Sequence, residues 1–475
     1  MTARSMVRLL SLAFVAGLCF CFSKTAQCEE KRPPNIVLFF VDNLGTGDIG
    51  CYGSDLHRTP HIDRLAAEGL KLTSFYVASG VCTPSRAALM TGCYPLRVDM
   101  HVSGEGGVVL RPLDTKGLNP TETTMAETLK SAGYATGIFG KWHLGDQPQF
   151  LPTRQGFDTF FGIPYSDDMV KELKPDIWPE LPLMRDETVI EAPVDRDYLV
   201  RRCTEETIAF IEKNKDRPFF AYVPHTMPGS TNHPFASPAF QGKSKNGKYG
   251  DSVEELDWST GQVMDALKRL GIDDNTLVIW TSDNGAPRRN PRQGSNAPYQ
   301  GDGYNTSEGA MRMPCVMRWP AKIAAGRTSD ALCSTMDLLP TFAKLTGAKA
   351  PQNEIDGHDI ASILFADSGD ASPWDQDGFA FYQMDQLQAV RAGQWKLYLP
   401  LGPQEAKRFP PAANKQGSPA LYDVRHDLHE DHEASAEHPE VVAQLTKLAE
   451  QIRQEVSEER RPAGKEESPQ GLFMQ

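Results

Sequence analysis

Four apolar runs of strand length each stop at a residue able to do chemistry, and this arrangement constrains the chain more than any other feature. Ile36 to Val41 stops at Asp42-Asn43, and Ala135 to Phe139 stops at Gly140-Lys141-Trp142-His143. Phe219 to Val223 stops at Pro224-His225, and Leu277 to Trp280 stops, after Thr281-Ser282, at Asp283-Asn284-Gly285. Ile36 to Val41 is continuously apolar rather than alternating, as strands covered on both faces are. Helix-like segments lie between the four runs, which gives the βαβ pattern of an α/β fold with a largely parallel central sheet between helices. In open α/β sheets ligands bind beyond the carboxyl ends of the strands, so these side chains can converge although they are far apart in sequence.

The intervening segments carry helix signals. Thr124 and Glu127 form a capping-box pattern ahead of Met125, Leu129 and Ala132, with Gly133 as the stop. Glu254 to Leu270 places Leu256, Val263, Met264 and Leu267 on one side. The alternation ends near Ile355 to Ile363, and Ala371 to Gly378 is polar and turn-rich. Beyond it come strand-like Ala389-Val390-Arg391 and Trp395 to Leu399, then Leu421-Tyr422-Asp423, then a helix from Pro439 to Ile452, a smaller C-terminal α+β subdomain. The expected boundaries are 1–28 for a signal peptide, 33–370 for the main domain carrying the chemistry, and 371–455 for the C-terminal subdomain. A charged tail, 456–475, is expected to be disordered.

The first segment reads as a secretory signal: Arg4 and Arg8 precede an apolar run from Leu9 to Phe22, with cleavage expected near Ala26. The run is too short to span a bilayer comfortably and no comparable run follows, so we expect no transmembrane segment and an exported protein, periplasmic or secreted. Thr25-Ala26-Gln27 ahead of Cys28 makes a poor lipidation box. With 62 acidic against 49 basic residues the formal charge is -13, which argues against a nucleic-acid partner. The 39 glycines and 35 prolines suit a loop-rich enzyme and exclude a helical bundle or coiled coil. Six cysteines lie beyond the signal, at 51, 82, 93, 203, 315 and 333, and in an exported protein they could pair.

Cys82 reads differently from the others. Cys82-Thr83-Pro84-Ser85-Arg86 resembles a helix start, with Thr83 as N-cap and Pro84 at the first helical position. A cysteine at the positive helix end, with Arg86 one turn inward, suits a nucleophile or an anion site. Taken alone, such a cysteine is more often a core thiol or half of a disulfide.

The spacing Cys82-x-Pro84-x-Arg86 resembles the signature of the sulfatase family, in which the cysteine is oxidised by a separate maturation enzyme to formylglycine. The resemblance continues through Asp42-Asn43-x-Gly45-x-Gly47-Asp48, Gly140-Lys141-Trp142-His143-Leu144-Gly145, Pro218-Phe219-Phe220 and Ser282-Asp283-Asn284-Gly285. It extends through Glu308-Gly309-x-x-Arg312-x-Pro314, Asp337-Leu338-Leu339-Pro340-Thr341 and Val390-Arg391-x-Gly393-x-Trp395-Lys396-Leu397, in the family's order along nearly the whole chain.

The resemblance implies an alkaline-phosphatase-like core and a sulfuric ester hydrolase with one divalent cation, calcium. One hydroxyl of the hydrated formylglycine from Cys82 attacks sulfur, and the other later regenerates the aldehyde. The implied metal ligands are Asp42, Asn43, Cys82, Asp283 and Asn284, hard oxygen donors apart from the thiol. Arg86 holds and polarises the nucleophile, Lys141 bridges it to a sulfate oxygen, and His143 accepts its proton. The substrate is a sulfate ester, an aryl sulfate or a sulfated glycan. Individually, an Asp after a strand is more often a turn or cap, and a lone Lys or His there is usually solvated; only the ordered set overturns these readings.

Three departures stand out. Asn43 replaces a second carboxylate, so weaker calcium binding is expected. The histidine expected after the third strand to protonate the leaving oxygen falls in the register of Gly229, which leaves that role to His225 or His233. The sulfate-contacting lysine expected before Glu308-Gly309 falls in the register of Gly303. Two other readings stay open: a phosphate or phosphonate ester hydrolase on the same scaffold, and a catalytically silent protein that binds sulfate or glycan.

Overall fold

Asn35–Val41 sits at the centre of the molecule because both its faces are apolar. Ile36, Leu38 and Phe40 enter one hydrophobic layer, Val37, Phe39 and Val41 enter the other, and all six are fully buried. Each such side chain contributes about 2 kcal/mol on burial, so a charge at any of them would break the sheet. The structure is a computed structural model that describes residues 32–290, 292–366, 371–408 and 417–468. The expected signal segment, 1–28, and residues 469–475 lie outside the described residues.

Around Asn35–Val41 runs a mixed sheet of eleven strands among the described residues. Thr276–Ser282 pairs with it in parallel on one side and Phe219–Val223 on the other, followed by Ala135–Lys141 and Thr159–Ile163, all parallel. The four runs singled out in the sequence are therefore neighbours, and their carboxyl ends share one edge. The flanks reverse direction: Arg312–Arg318 is antiparallel to both Thr276–Ser282 and Leu70–Tyr76, and Leu183–Arg185 is antiparallel to Thr159–Ile163. Helices cover both faces, among them Leu199–Asn214 and Gly247–Arg269 on one and Met125–Ser131 and Leu338–Thr346 on the other. The expected capping box is present, with Glu127 N–H donating to Thr124 Oγ1 and Thr124 N–H to the Glu127 carboxylate.

The C-terminal part is a four-stranded antiparallel sheet of Phe379–Gln383, Gln386–Ala392, Trp395–Tyr398 and Ala420–Asp423. The helix Pro439–Glu458 packs Leu445, Ala449, Ile452 and Val456 against it. Phe379–Gln383 was not anticipated; it is a short apolar run entered straight from a turn-rich stretch. Buried polar links weld this sheet to the main one. Lys396 Nζ donates to Glu308 Oε1 at 2.9 Å and to the Thr306 carbonyl at 3.1 Å, while Arg312 bonds the other Glu308 oxygen at 3.2 Å. Burial alone would raise the Glu308 carboxyl, but Lys396 and Arg312 outweigh it and bring it down to about 2.

The expectation of a disordered tail over 456–475 is corrected for its described part. The helix continues to Glu458, and Gly464–Lys465 pairs antiparallel with Lys116–Gly117. Arg461 donates to Glu122 Oε1 at 2.7 Å, and Ala463 is buried in the main core. The segment is charged, but its charges meet partners across the molecule, a pairing that local composition does not register. Among the described residues no helix is long and apolar enough to cross a membrane. The cysteines at 51, 82, 93, 203, 315 and 333 are all free thiols.

Candidate active site

At the shared strand edge, four charged side chains meet with almost no solvent contact. Asp42 follows Asn35–Val41, Lys141 ends Ala135–Lys141, Asp283 follows Thr276–Ser282, and Arg86 reaches in from the helix Cys82–Thr91. Lys141 Nζ lies 2.7 Å and Arg86 Nη2 3.1 Å from Asp42 Oδ1. Arg86 also grips Asp283 Oδ2 through Nε at 3.1 Å and Nη2 at 2.7 Å. Buried charges are tolerated only when paired this closely, and removing one partner costs about 3–5 kcal/mol. Burial would raise the Asp42 carboxyl, yet Lys141 and Arg86 outweigh it and hold it well below the ordinary range. Burial and the neighbouring Asp42 charge push Asp283 the other way, up to about 7.

Cys82 is the first residue of its helix, capped by Val81. Thr83, expected as the cap, lies one turn position inside; its hydroxyl donates to the His143 carbonyl at 3.1 Å and accepts from Leu110 N–H at 3.2 Å. The helix start is thereby tied to the segment that carries His143. Burial and Asp42 push the Cys82 thiol well above its ordinary value, so it is held neutral.

His143 is buried at φ 64°, an uncommon backbone conformation for a non-glycine residue. Its Nε2 faces the Leu110 carbonyl at 3.0 Å, which can only accept, so Nε2 carries the hydrogen. Nδ1 is then a bare lone pair, and it is buried with no partner. Burial, and then the Lys141 charge, keep the ring neutral. The side chain is thus a base without a proton of its own at that nitrogen.

The other two histidines do not join this group. His225 is buried with Nε2 2.8 Å from Ser259 Oγ, and its ring stacks on Phe39, which belongs to the opposite apolar layer. Burial alone brings its pKa down to about 3. His233 lies exposed on a loop, where its N–H donates to Thr231 Oγ1 at 3.1 Å. The sequence expectation that either one replaces the histidine missing at Gly229 has no geometric support. What the sequence did not disclose is Ser166, whose Oγ accepts from Lys141 Nζ at 3.2 Å. It follows the next parallel strand, Thr159–Ile163, whose Phe-Phe-Gly centre gave no clear strand signal although the same carboxyl-edge rule applies.

Oxygen donors suited to a hard cation are present in the same place. Asp42, Cys82 and Asp283 offer ligand atoms within 4.8 Å of one another. Asn284 Oδ1 is buried without a partner, and Asn284 Nδ2 donates to Asn43 Oδ1 at 2.5 Å. Carboxylates and amide carbonyls are what calcium takes, and a cation there would satisfy the orphaned oxygen. The five residues expected to ligate metal are thus side by side.

A mixed sheet with paired carboxylates, a lysine, an arginine and a buried neutral histidine at its carboxyl edge is an arrangement suited to holding an anionic group. Comparison with known proteins narrows the class. Residues 34–348 match the sulfatase family model and residues 375–470 match that of the C-terminal region of aryl-sulfatase. The chain is 37% identical over 448 residues to steryl-sulfatase of Mus musculus, covering 77% of this chain and 71% of that protein. It is 39% identical over 416 residues to arylsulfatase A of Homo sapiens, covering 82% and 78%. A solved sulfatase from Pseudoalteromonas sp. superposes with a TM-score of 0.78 at 27% identity, covering 91% and 92%. The chain belongs to the sulfatase family, the sulfuric ester hydrolases.

Proposed function

We propose that this protein hydrolyses sulfate monoesters at Cys82, oxidised by a maturation enzyme to formylglycine, with a calcium ion held by Asp42, Asn43, Asp283 and Asn284. The observation that carries this reading is the convergence of Cys82 with Asp42 and Asp283 within 4.8 Å, flanked by Lys141 and Arg86. The oxidised, hydrated side chain supplies a hydroxyl nucleophile, and the cation supplies charge withdrawal at the sulfuryl oxygens.

The rest falls to the chain's own groups. Arg86, locked between two carboxylates, fixes them without freedom to follow the substrate. Lys141 keeps its proton: burial would lower its pKa, but Asp42 more than compensates. It therefore offers a positive charge to a sulfuryl oxygen, with Ser166 steering the ammonium. His143 takes a proton on Nδ1, the nitrogen left free by the Leu110 carbonyl. The relatives are named for steryl and for aryl sulfate esters at nearly equal identity, so the ester is specified here and the alcohol is not. The signal-like N-terminal sequence supports export, and with it an encounter between Cys82 and a maturation enzyme.

The test is mass spectrometry of the Cys82 peptide from the exported protein, with rates on 4-nitrophenyl sulfate and 4-nitrophenyl phosphate. An aldehyde at Cys82, preference for the sulfate and an inactive Cys82→Ala variant are expected. An unmodified thiol would leave the silent binding protein as the better reading, and preference for phosphate would favour the phosphomonoester hydrolase.

A further inference from the structure

Beside the Cys82 cluster lie two hydroxyls, those of Ser230 and Tyr304, that the site described above does not use. Ser230 Oγ accepts from Asn43 Nδ2 at 2.9 Å and lies 3.0 Å from Tyr304 Oη. These residues come from loops 74 positions apart that meet directly over the buried Asn43. The Tyr304 backbone is pinned by its N–H to the Gly80 carbonyl at 2.9 Å, two residues before Cys82. Burial, and next the proximity of Cys82, push its hydroxyl well above the ordinary value, so it keeps its hydrogen. The residue as a whole is still 39% exposed. One end thus reaches the site while the other faces solvent, the position of a wall that a substrate meets.

The preceding residues are both glycines. Gly229 has φ 69°, and a Cβ there would lie 2.8 Å from both Asp167 Oδ1 and the Thr226 carbonyl. A Cβ at Gly303 would lie 2.4 Å from the Gly285 carbonyl oxygen. A side chain at either position would force its neighbours to shift, and the hydroxyls these loops present come from the next residues, Ser230 and Tyr304. Both loops are held from behind. Arg289 donates to the carbonyls of Gly229 and Thr231. Gln383 donates to the Tyr304 carbonyl at 3.4 Å, and Thr306 to Gln388 at 2.6 Å, so the C-terminal sheet braces Tyr304. Tyr304 itself sits at φ 78°, a conformation kept only where the surroundings impose it.

We propose that Ser230 and Tyr304 form a neutral hydroxyl pair that contacts the ester, with Tyr304 donating a hydrogen bond to the oxygen that leaves. The pair extends the sulfatase reading and depends on it. As the S–O bond breaks, charge accumulates on that oxygen, and a preorganised donor there stabilises the transition state more than the ground state. A neutral pair adds no charge to the site, which suits a monoanionic sulfate ester rather than a dianionic phosphate.

The experiment compares wild type, Tyr304→Phe and Ser230→Ala on ring-substituted phenyl sulfates of graded leaving-group acidity. Because the donor matters most where the leaving oxygen is most basic, Tyr304→Phe is expected to lose about threefold in kcat on 4-nitrophenyl sulfate and about 30-fold on phenyl sulfate. Ser230→Ala follows in the same direction by about half as many decades, and the double variant loses less than the product of the two. Equal losses across the series, or none, in an active enzyme would overturn the pair while leaving the sulfatase reading intact. A wild type inactive on every phenyl sulfate would overturn the sulfatase reading and the pair together. Unchanged thermal midpoints keep a folding defect from imitating the slope change.

Discussion

The floor and the mouth of this site are built on opposite principles. The floor is Asp42, Arg86, Lys141 and Asp283, each fully buried and ion-paired, at the ends of strands or on a helix. The mouth is Ser230 and Tyr304, neutral, partly exposed and carried by loops. Burying charge requires rigid partners, so the floor belongs to the sheet, while a recognition wall can be rebuilt in loops without disturbing the core. Gly229 and Gly303 accordingly lie in the loops of the mouth and make none of the floor's hydrogen bonds.

Lys141→Met tests the floor most sharply. It removes the buried cation paired with Asp42, which the proposed function also sets against a sulfuryl oxygen, and kcat on 4-nitrophenyl sulfate is expected to fall about 10³-fold. A loss under tenfold would show that the floor does not carry the charge it is credited with. Lys396→Met is expected to leave Glu308 short of a partner and lower stability by about 3 kcal/mol in urea unfolding. It should also mimic part of the Tyr304→Phe slope change, since Lys396 holds the Thr306 carbonyl beside the Tyr304 loop. Stability loss with an unaltered slope would separate the subdomain from the mouth.

His225→Gln gives the smallest effect and the cleanest distinction. The folded pKa near 3 lies below the ordinary 6.5, so between those pH values the unfolded chain binds the extra proton. The contribution of His225 is therefore complete above about pH 6.5 and is lost as pH falls toward 3. His225→Gln should flatten the fall in stability between pH 7 and pH 5 by up to about 1.4 kcal/mol per unit, with kcat at pH 7 changed less than twofold. A large loss of kcat would return His225 to the reaction.

Most of the floor was legible because Asp42, Lys141 and Asp283 follow apolar runs, where strand direction aims them at one edge, whereas Arg86, on the helix that Cys82 begins, was legible only through the ordered resemblance. Asp42, Lys141, His143, Asp283 and Asn284 could be named on that ground once their order along the chain was considered. His225 fits the same pattern and yet faces the other layer, because side chains alternate across a strand and its continuation, and the sequence does not say which face a residue two positions past the strand will take. The tail misled for a related reason: composition registers charge, and only the folded chain brings Arg461 to Glu122.

By itself, then, the sequence determined the central strands, the capping box, the Cys82 helix and the set of charged groups, because these depend on local periodicity and position along the chain. Only the tertiary structure decided that Ser166 joins Lys141, that the C-terminal sheet braces the Tyr304 loop, and that Ser230 meets Tyr304. Those contacts join loops whose backbone paths are set by distant partners such as Arg289 and Gln383, and no local signal encodes a path fixed from elsewhere.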